Sequence, residues 1–199
     1  MRAFVAAAVL AVSSLSGMSA SAQTVEVGNV KYESAVDLAG QKLQLNGAGI
    51  RYKFVVKVYT AGLYLTTKAS TTAEVLAAPG PKRIHISMLR DIDGNELGKL
   101  FTKGMEDNAP REEFVKSING VLKLSEIFAS RKQLNNGDNF SVDYVPGLGS
   151  TVLLNGKAIG ETIKEPEFFS AMLRIWLGDK PADTGLKEAL LGVKKARRN

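Results

Sequence analysis

The sequence predicts an α+β fold in which one large antiparallel sheet carries a layer of helices on one face. Three features lead there. Period-two alternation dominates the first half, helical periodicity takes over after Asp93, and strands followed by two helices recur before Gly192. With 45% hydrophobic, 23% charged and 7% aromatic residues in 199, the balance is that of an ordinary globular domain and excludes a disordered or collagen-like chain.

Ahead of the first strand, Arg2, the apolar run from Phe4 to Val12 and the small residues Ala20-Ser21-Ala22 read as a secretory signal peptide over residues 1–22. Cleavage before Gln23 would leave the chain in the periplasm. The run is far shorter than the roughly 20 residues of a membrane-spanning helix, so no membrane span is expected. A single domain over 23–192 and a basic tail over 193–199 make up the rest.

Val25, Val27, Leu43, Leu45 and the stretch from Arg51 to Leu65 are strand-like, punctuated by Gly28-Asn29, Gly40 and Asn46-Gly47-Ala48-Gly49. Ile84, Ile86 and Met88 alternate with Arg83, His85 and Ser87, which puts His85 on a polar face, exposed or paired within the sheet. Asp93 and Glu96 form a capping-box pattern, and Leu97, Leu100, Phe101 and Met105 then share one helical stripe. A second helix is predicted from Asn108-Ala109-Pro110, with Phe114, Ile118, Val121 and Leu122 inward. Gly120 weakens it by about 1 kcal/mol relative to alanine and invites a bend or a close contact. Strands resume with Phe140, Val142 and Tyr144, then Thr151 to Leu154, where Asn155-Gly156 is a two-residue hairpin signal before Lys157 to Thr162. Phe168, Phe169, Met172, Leu173, Trp176 and Leu177 define a third helix, stopped by Gly178 and Pro181. Leu186, Leu190 and Leu191 define a last helix, with Gly192 as its stop.

Several chemistries are excluded by composition. Without cysteine there is no disulfide, thiol nucleophile or thiolate metal site, and one histidine rules out a multi-histidine metal centre. No metal or other cofactor is expected. The 26 basic and 20 acidic residues include Arg2 and Lys194, Lys195, Arg197 and Arg198, so the body between is nearly neutral. It lacks the basic face that nucleic-acid binding requires. Pro146 to Ser150 is glycine-rich, but no lysine–serine pair or helix follows, so a hairpin is expected there rather than a phosphate loop.

Gly47-Ala48-Gly49-Ile50-Arg51, followed by the run Phe54 to Leu65, resembles the start of the chalcone isomerase-like domain, and Phe168 to Gly178 with the Leu186-to-Gly192 helix resembles its end. The resemblance spans Val25 to Gly192 and is closest to the exported bacterial branch. It implies an open-faced β-sandwich with a ligand cleft between sheet and helices, in a superfamily of isomerases, fatty-acid binders and members without activity. Arg51 matches the arginine that faces the ligand in enzymes and binders alike, and Tyr59 falls where the plant enzymes use a threonine. Their other polar catalytic positions fall on Leu97, Leu100, Gly104 and Ile175.

Arg51 and Tyr59 are therefore the candidate ligand-binding residues. One extended strand would hold them about 27 Å apart at about 3.4 Å per residue, so the chain must reverse near Tyr52-Lys53 if both are to serve one ligand. Tyr64 falls on the other strand face by parity. Trp176, Phe168, Phe169 and Met172 either line the cleft from the helix side or pack the core. A half-buried arginine requires an anionic partner, either an internal carboxylate or a ligand carboxylate gripped bidentately. Three functions follow. The first is non-catalytic binding of a small amphipathic anion such as a fatty acid. The second is isomerase or intramolecular lyase activity with Arg51 as electrophile and Tyr59 as general acid, and the third is a structural envelope role with a closed cleft.

Overall fold

The computed structural model describes residues 23–193; the signal-peptide reading and the basic tail from Lys194 onward lie outside them. Strands β1 (Thr24–Val27) and β2 (Val30–Glu33) form a hairpin across Gly28-Asn29. The main sheet begins with β3 (Ala35–Leu38), β4 (Gln41–Lys53) and β5 (Val56–Leu65). Helix α1 (Thr72–Ala77) leads to β6 (Lys82–Met88) and the short β7 (Ile92–Asp93). Helices α2 (Gly94–Asn108), α3 (Arg111–Lys116) and α4 (Ile118–Ala129) follow. Then come β8 (Gln133–Leu134), which pairs with β7, and β9 (Asn139–Val145), β10 (Gly149–Leu154) and β11 (Lys157–Ile163). Helices α5 (Pro166–Leu177) and α6 (Thr184–Leu190) close the chain.

Seven strands form one antiparallel sheet in the order β11-β10-β9-β6-β5-β4-β3, the predicted α+β architecture. Its helix-facing side supplies Ala61, Leu63, Ile84, Ile86, Phe140, Val142 and Val152 to a core shared with Phe101, Phe128, Phe168, Met172 and Trp176. The other side is not bare. There the β1–β2 hairpin lays Tyr32 over Leu43, Leu45 and Tyr64, and the Tyr32 hydroxyl donates to Thr60 Oγ1 at 2.7 Å. His85 is consequently half-buried, with the Tyr32 ring edge-on at 5.8 Å, instead of standing on an open polar face.

Two further elements differ from the sequence expectation. The span Asn46 to Gly49 does not interrupt β4. Asn46 is the extra residue of a β-bulge, and its amide donates to the carbonyls of Ala69 and Leu190 at 2.9 and 2.7 Å while accepting from Ala69 N–H. A Cβ at Gly47 would stand 2.0 Å from the Ala189 carbonyl oxygen, so the glycines let α6 lie directly on the strand. The single helix expected after Pro110 is divided at Ser117, whose hydroxyl donates to the Phe114 carbonyl. The break shifts the helical phase: Val121 remains inward, Phe114 is half-buried, and Ile118 and Leu122 face solvent. Gly120 makes the close contact expected of it, against Ile163 and Phe168.

Candidate functional site

β4 and β5 form a hairpin that turns at Phe54-Val55, so Arg51 is the register partner of Tyr59. The required reversal is present, two residues beyond Tyr52. Immediately after that pair the register shifts, leaving Val58 as an extra residue, so Val58 and Tyr59 both reach the helix-facing side. On β4, Gly47, Gly49 and Arg51 share one face by alternation. Helix α6 covers the two glycines, while Arg51 stands beside its beginning, where Asp183 accepts from Tyr52 N–H at 3.0 Å and from Leu186 N–H at 2.8 Å.

Arg51 and Tyr59 line a cleft of about 210 Å³ between the β4–β5 hairpin, α2 and the α5–α6 connection. Its walls are mainly apolar: Val58, Ile92, Leu97, Leu100, Phe101, Gly104, Ile175 and Ala182. The four positions where the resemblance would require polar catalytic groups, Leu97, Leu100, Gly104 and Ile175, thus meet in one place. A Cβ at Gly104 would lie 3.1 Å from Ile175 Cγ2, which shows how closely α2 and α5 approach. Lys103, Asp107, Asn108 and Lys180 complete the lining. Lys103 and Asp107 pair with each other at 2.9 Å, and Asn108 bonds to the backbone N–H and carbonyl of Lys180, tying the end of α2 to the α5–α6 connection.

The Arg51 guanidinium lies 5.6 Å from the centre of the Tyr59 ring, a cation–π contact. Arg51 is half-buried, and among the described residues it has no carboxylate partner within ion-pair distance. The Tyr59 hydroxyl accepts from Trp176 Nε1 at 2.8 Å. Burial pushes its pKa up to about 12, with the Arg51 charge opposing part of the rise, so it stays protonated at neutral pH. It keeps one proton to donate.

The remaining candidates lie elsewhere. Trp176, Phe168, Phe169 and Met172 are core, and α5 contributes only Ile175 to the cleft. Tyr64 is on the opposite sheet face, its hydroxyl donating to the Glu33 carbonyl at 3.1 Å. His85 shares that face, its ring nitrogens 2.7 Å from Ser141 Oγ and 3.3 Å from Ser87 Oγ. Burial, and secondarily the Arg83 charge, push its pKa down to about 4. No group of three or more potential metal ligands occurs among the described residues. Sequence reasoning did not find Ile92, Asn108 or Lys180. Asn108 reads locally as the start of the second helix, whereas it is the last residue of α2, and only the tertiary fold brings Lys180 to it.

Sheet, helical layer and a mainly apolar cleft lined also by Arg51 define an open-faced β-sandwich. The model of the chalcone isomerase-like family matches residues 24–192, and the chain belongs to that family. Among solved structures, it is similar to the crystal structure of an Arabidopsis thaliana fatty-acid binding protein, with a TM-score of 0.66 and 13% identity over 85% of this chain and 96% of the plant one. A search of curated proteins finds no match.

Proposed function

We propose that this chain is a non-catalytic binding protein for an amphipathic monocarboxylate such as a fatty acid, with Arg51 gripping the carboxylate and the apolar walls of the cleft taking the tail. The observation that carries the reading is a half-buried arginine, without a carboxylate partner among the described residues, in the wall of a mainly apolar cleft. A carboxylate supplies the missing counter-charge in the bidentate geometry that a guanidinium suits best. The likeness to a solved fatty-acid binder supports the same reading. An isomerase needs polar groups that switch protonation or polarise the substrate. Arg51 could polarise a substrate here, but Tyr59 is held protonated by burial, Asp107 is paired with Lys103, Asn108 is tied to the Lys180 backbone, and Leu97, Leu100, Gly104 and Ile175 offer no polar group to work with it. An open cleft also weighs against the structural envelope alternative.

Titration with a fluorescent fatty acid tests the reading. Arg51→Ala should weaken binding by about 30- to 1,000-fold, the equivalent of roughly 2–4 kcal/mol for a charge-assisted pair in a dry site. Arg51→Lys should recover part of it. Both variants should remain folded, because no internal ion pair among the described residues is lost. Unchanged affinity in Arg51→Ala would remove Arg51 as the anchor. We further place the protein in the periplasm after cleavage behind Ala22, on the strength of the leader pattern; Met1 at the N-terminus of the exported form would overturn this.

A further inference from the structure

The hairpin that carries Arg51 ends in an apolar tip. Phe54 and Val55 are 94% and 90% exposed, and Tyr52, Lys53, Val56 and Lys57 beside them are exposed too. Phe54 occupies the left-handed region at φ 58°, a conformation that glycine, asparagine or aspartate adopts at far lower cost in a two-residue turn. An aromatic residue there disfavours the turn and contributes no packing to the fold.

We propose that this tip docks the protein on an anionic phospholipid surface, with Phe54 and Val55 entering the acyl boundary and Lys53 and Lys57 meeting the headgroups. Charge complementarity selects this occupant. From Arg51 to Lys57 every charged residue is cationic, and the nearby Asp183 has its two carboxylate oxygens engaged by the N–H groups of Tyr52 and Leu186. The shape agrees, since a two-residue turn is a wedge suited to insertion rather than a face suited to a folded partner. Arg51, Val58 and Tyr59 continue from this hairpin into the cleft, so a docked tip holds the cleft beside the surface from which an amphipathic carboxylate partitions. That last consequence rests on the carboxylate-binding reading; the docking itself does not.

The full chain is compared with Phe54→Ser/Val55→Ser and Lys53→Glu/Lys57→Glu in sedimentation with vesicles of phosphatidylglycerol and phosphatidylethanolamine. Parent and variants share the same ends, so their differences report the tip. Each double variant should lose about tenfold or more in vesicle affinity, and neutral vesicles should bind the parent about tenfold more weakly. The Phe54→Ser/Val55→Ser variant should keep its affinity for a soluble fluorescent fatty acid. Because the chain lacks cysteine, Val55→Cys accepts a single environment-sensitive dye, which should shift to the blue on anionic vesicles. Leu148→Cys, in a 68%-exposed turn at the opposite end of the sheet, should not respond. Equal vesicle affinity in parent and variants overturns the proposal, as does an unshifted dye at Val55. Capture of a protein, instead of lipid, by a photo-cross-linker at Val55 in the envelope would also overturn it. Loss of fatty-acid binding alone would count against the cleft reading and leave the docking intact.

Discussion

Replacing Tyr59 by phenylalanine separates its two roles in the cleft. In the folded protein its hydroxyl accepts from Trp176 Nε1 at 2.8 Å, and both side chains are buried. Removing the oxygen leaves the indole N–H unpaired away from water, at a cost of about 1–3 kcal/mol. For a domain of this size each kcal/mol moves the melting temperature by about 2–4 °C, so Tyr59→Phe should melt about 2–12 °C lower. Trp176 is the only tryptophan, so its emission follows unfolding from one known position. Carboxylate affinity should fall by less than about tenfold, since at most one neutral donor is lost while Arg51 remains. Adding Trp176→Phe completes a double-mutant cycle, and a coupling of about 0.5–3 kcal/mol is expected for groups in contact. Unchanged melting combined with an affinity loss as large as that of Arg51→Ala would refute the assignment and make the hydroxyl a ligand group.

Three further outcomes follow from burial. His85 has a folded pKa pushed down to about 4, against about 6.5 in the unfolded chain, so the unfolded state binds the proton first as pH falls. Its contribution to stability is fully present above pH 6.5 and is lost as pH falls toward 4. Melting temperature against pH should decline over that window in the parent and decline less above pH 5 in His85→Asn; identical profiles would refute it. Gly120→Ala should destabilise by about 1–2 kcal/mol despite alanine's better helix propensity, because the new Cβ would stand 2.6 Å from Ile163 and Phe168. Gly104→Ala, whose Cβ would stand 3.1 and 3.2 Å from Ile175 Cγ2 and Cγ1, should destabilise less than Gly120→Ala in the same denaturation assay, because only a few tenths of an ångström must be given.

The parts of the fold that were legible are those fixed by local physics. Asn155-Gly156 takes φ of 48° and 76°, the conformation its residue types favour, and the hairpin between β10 and β11 follows. The α5 stripe buries as its spacing requires. What escaped depends on neighbours distant in sequence. Asn46 to Gly49 has the composition of a loop, yet its small residues serve the approach of α6. The Thr71–Glu74 capping box that starts α1 is, by contrast, a local signal that the sequence displays. Only the fold shows that the β1–β2 hairpin covers the polar face of β6, turning His85 from a surface residue into a half-buried one.

The same distinction decides Arg51. Its residue type and motif pointed to an anion, but whether that anion was internal depended on which carboxylates the fold would bring near. Asp107 lines the same cleft but is paired with Lys103, and Asp183 lies close enough for its charge to be felt at Tyr59 together with that of Arg51. Both Asp183 oxygens are held by backbone N–H groups, one on β4 and one in the first turn of α6, so the aspartate anchors that helix to the strand and forms no ion pair with Arg51. The Tyr59 ring meets the guanidinium through its π face. With no carboxylate of the described residues paired to it, the guanidinium stays available to an incoming carboxylate. A direct Arg51–Asp183 bridge would have stabilised the fold and closed the site to such a ligand. Assigning Asp183 to the backbone keeps the helix start fixed and the arginine available.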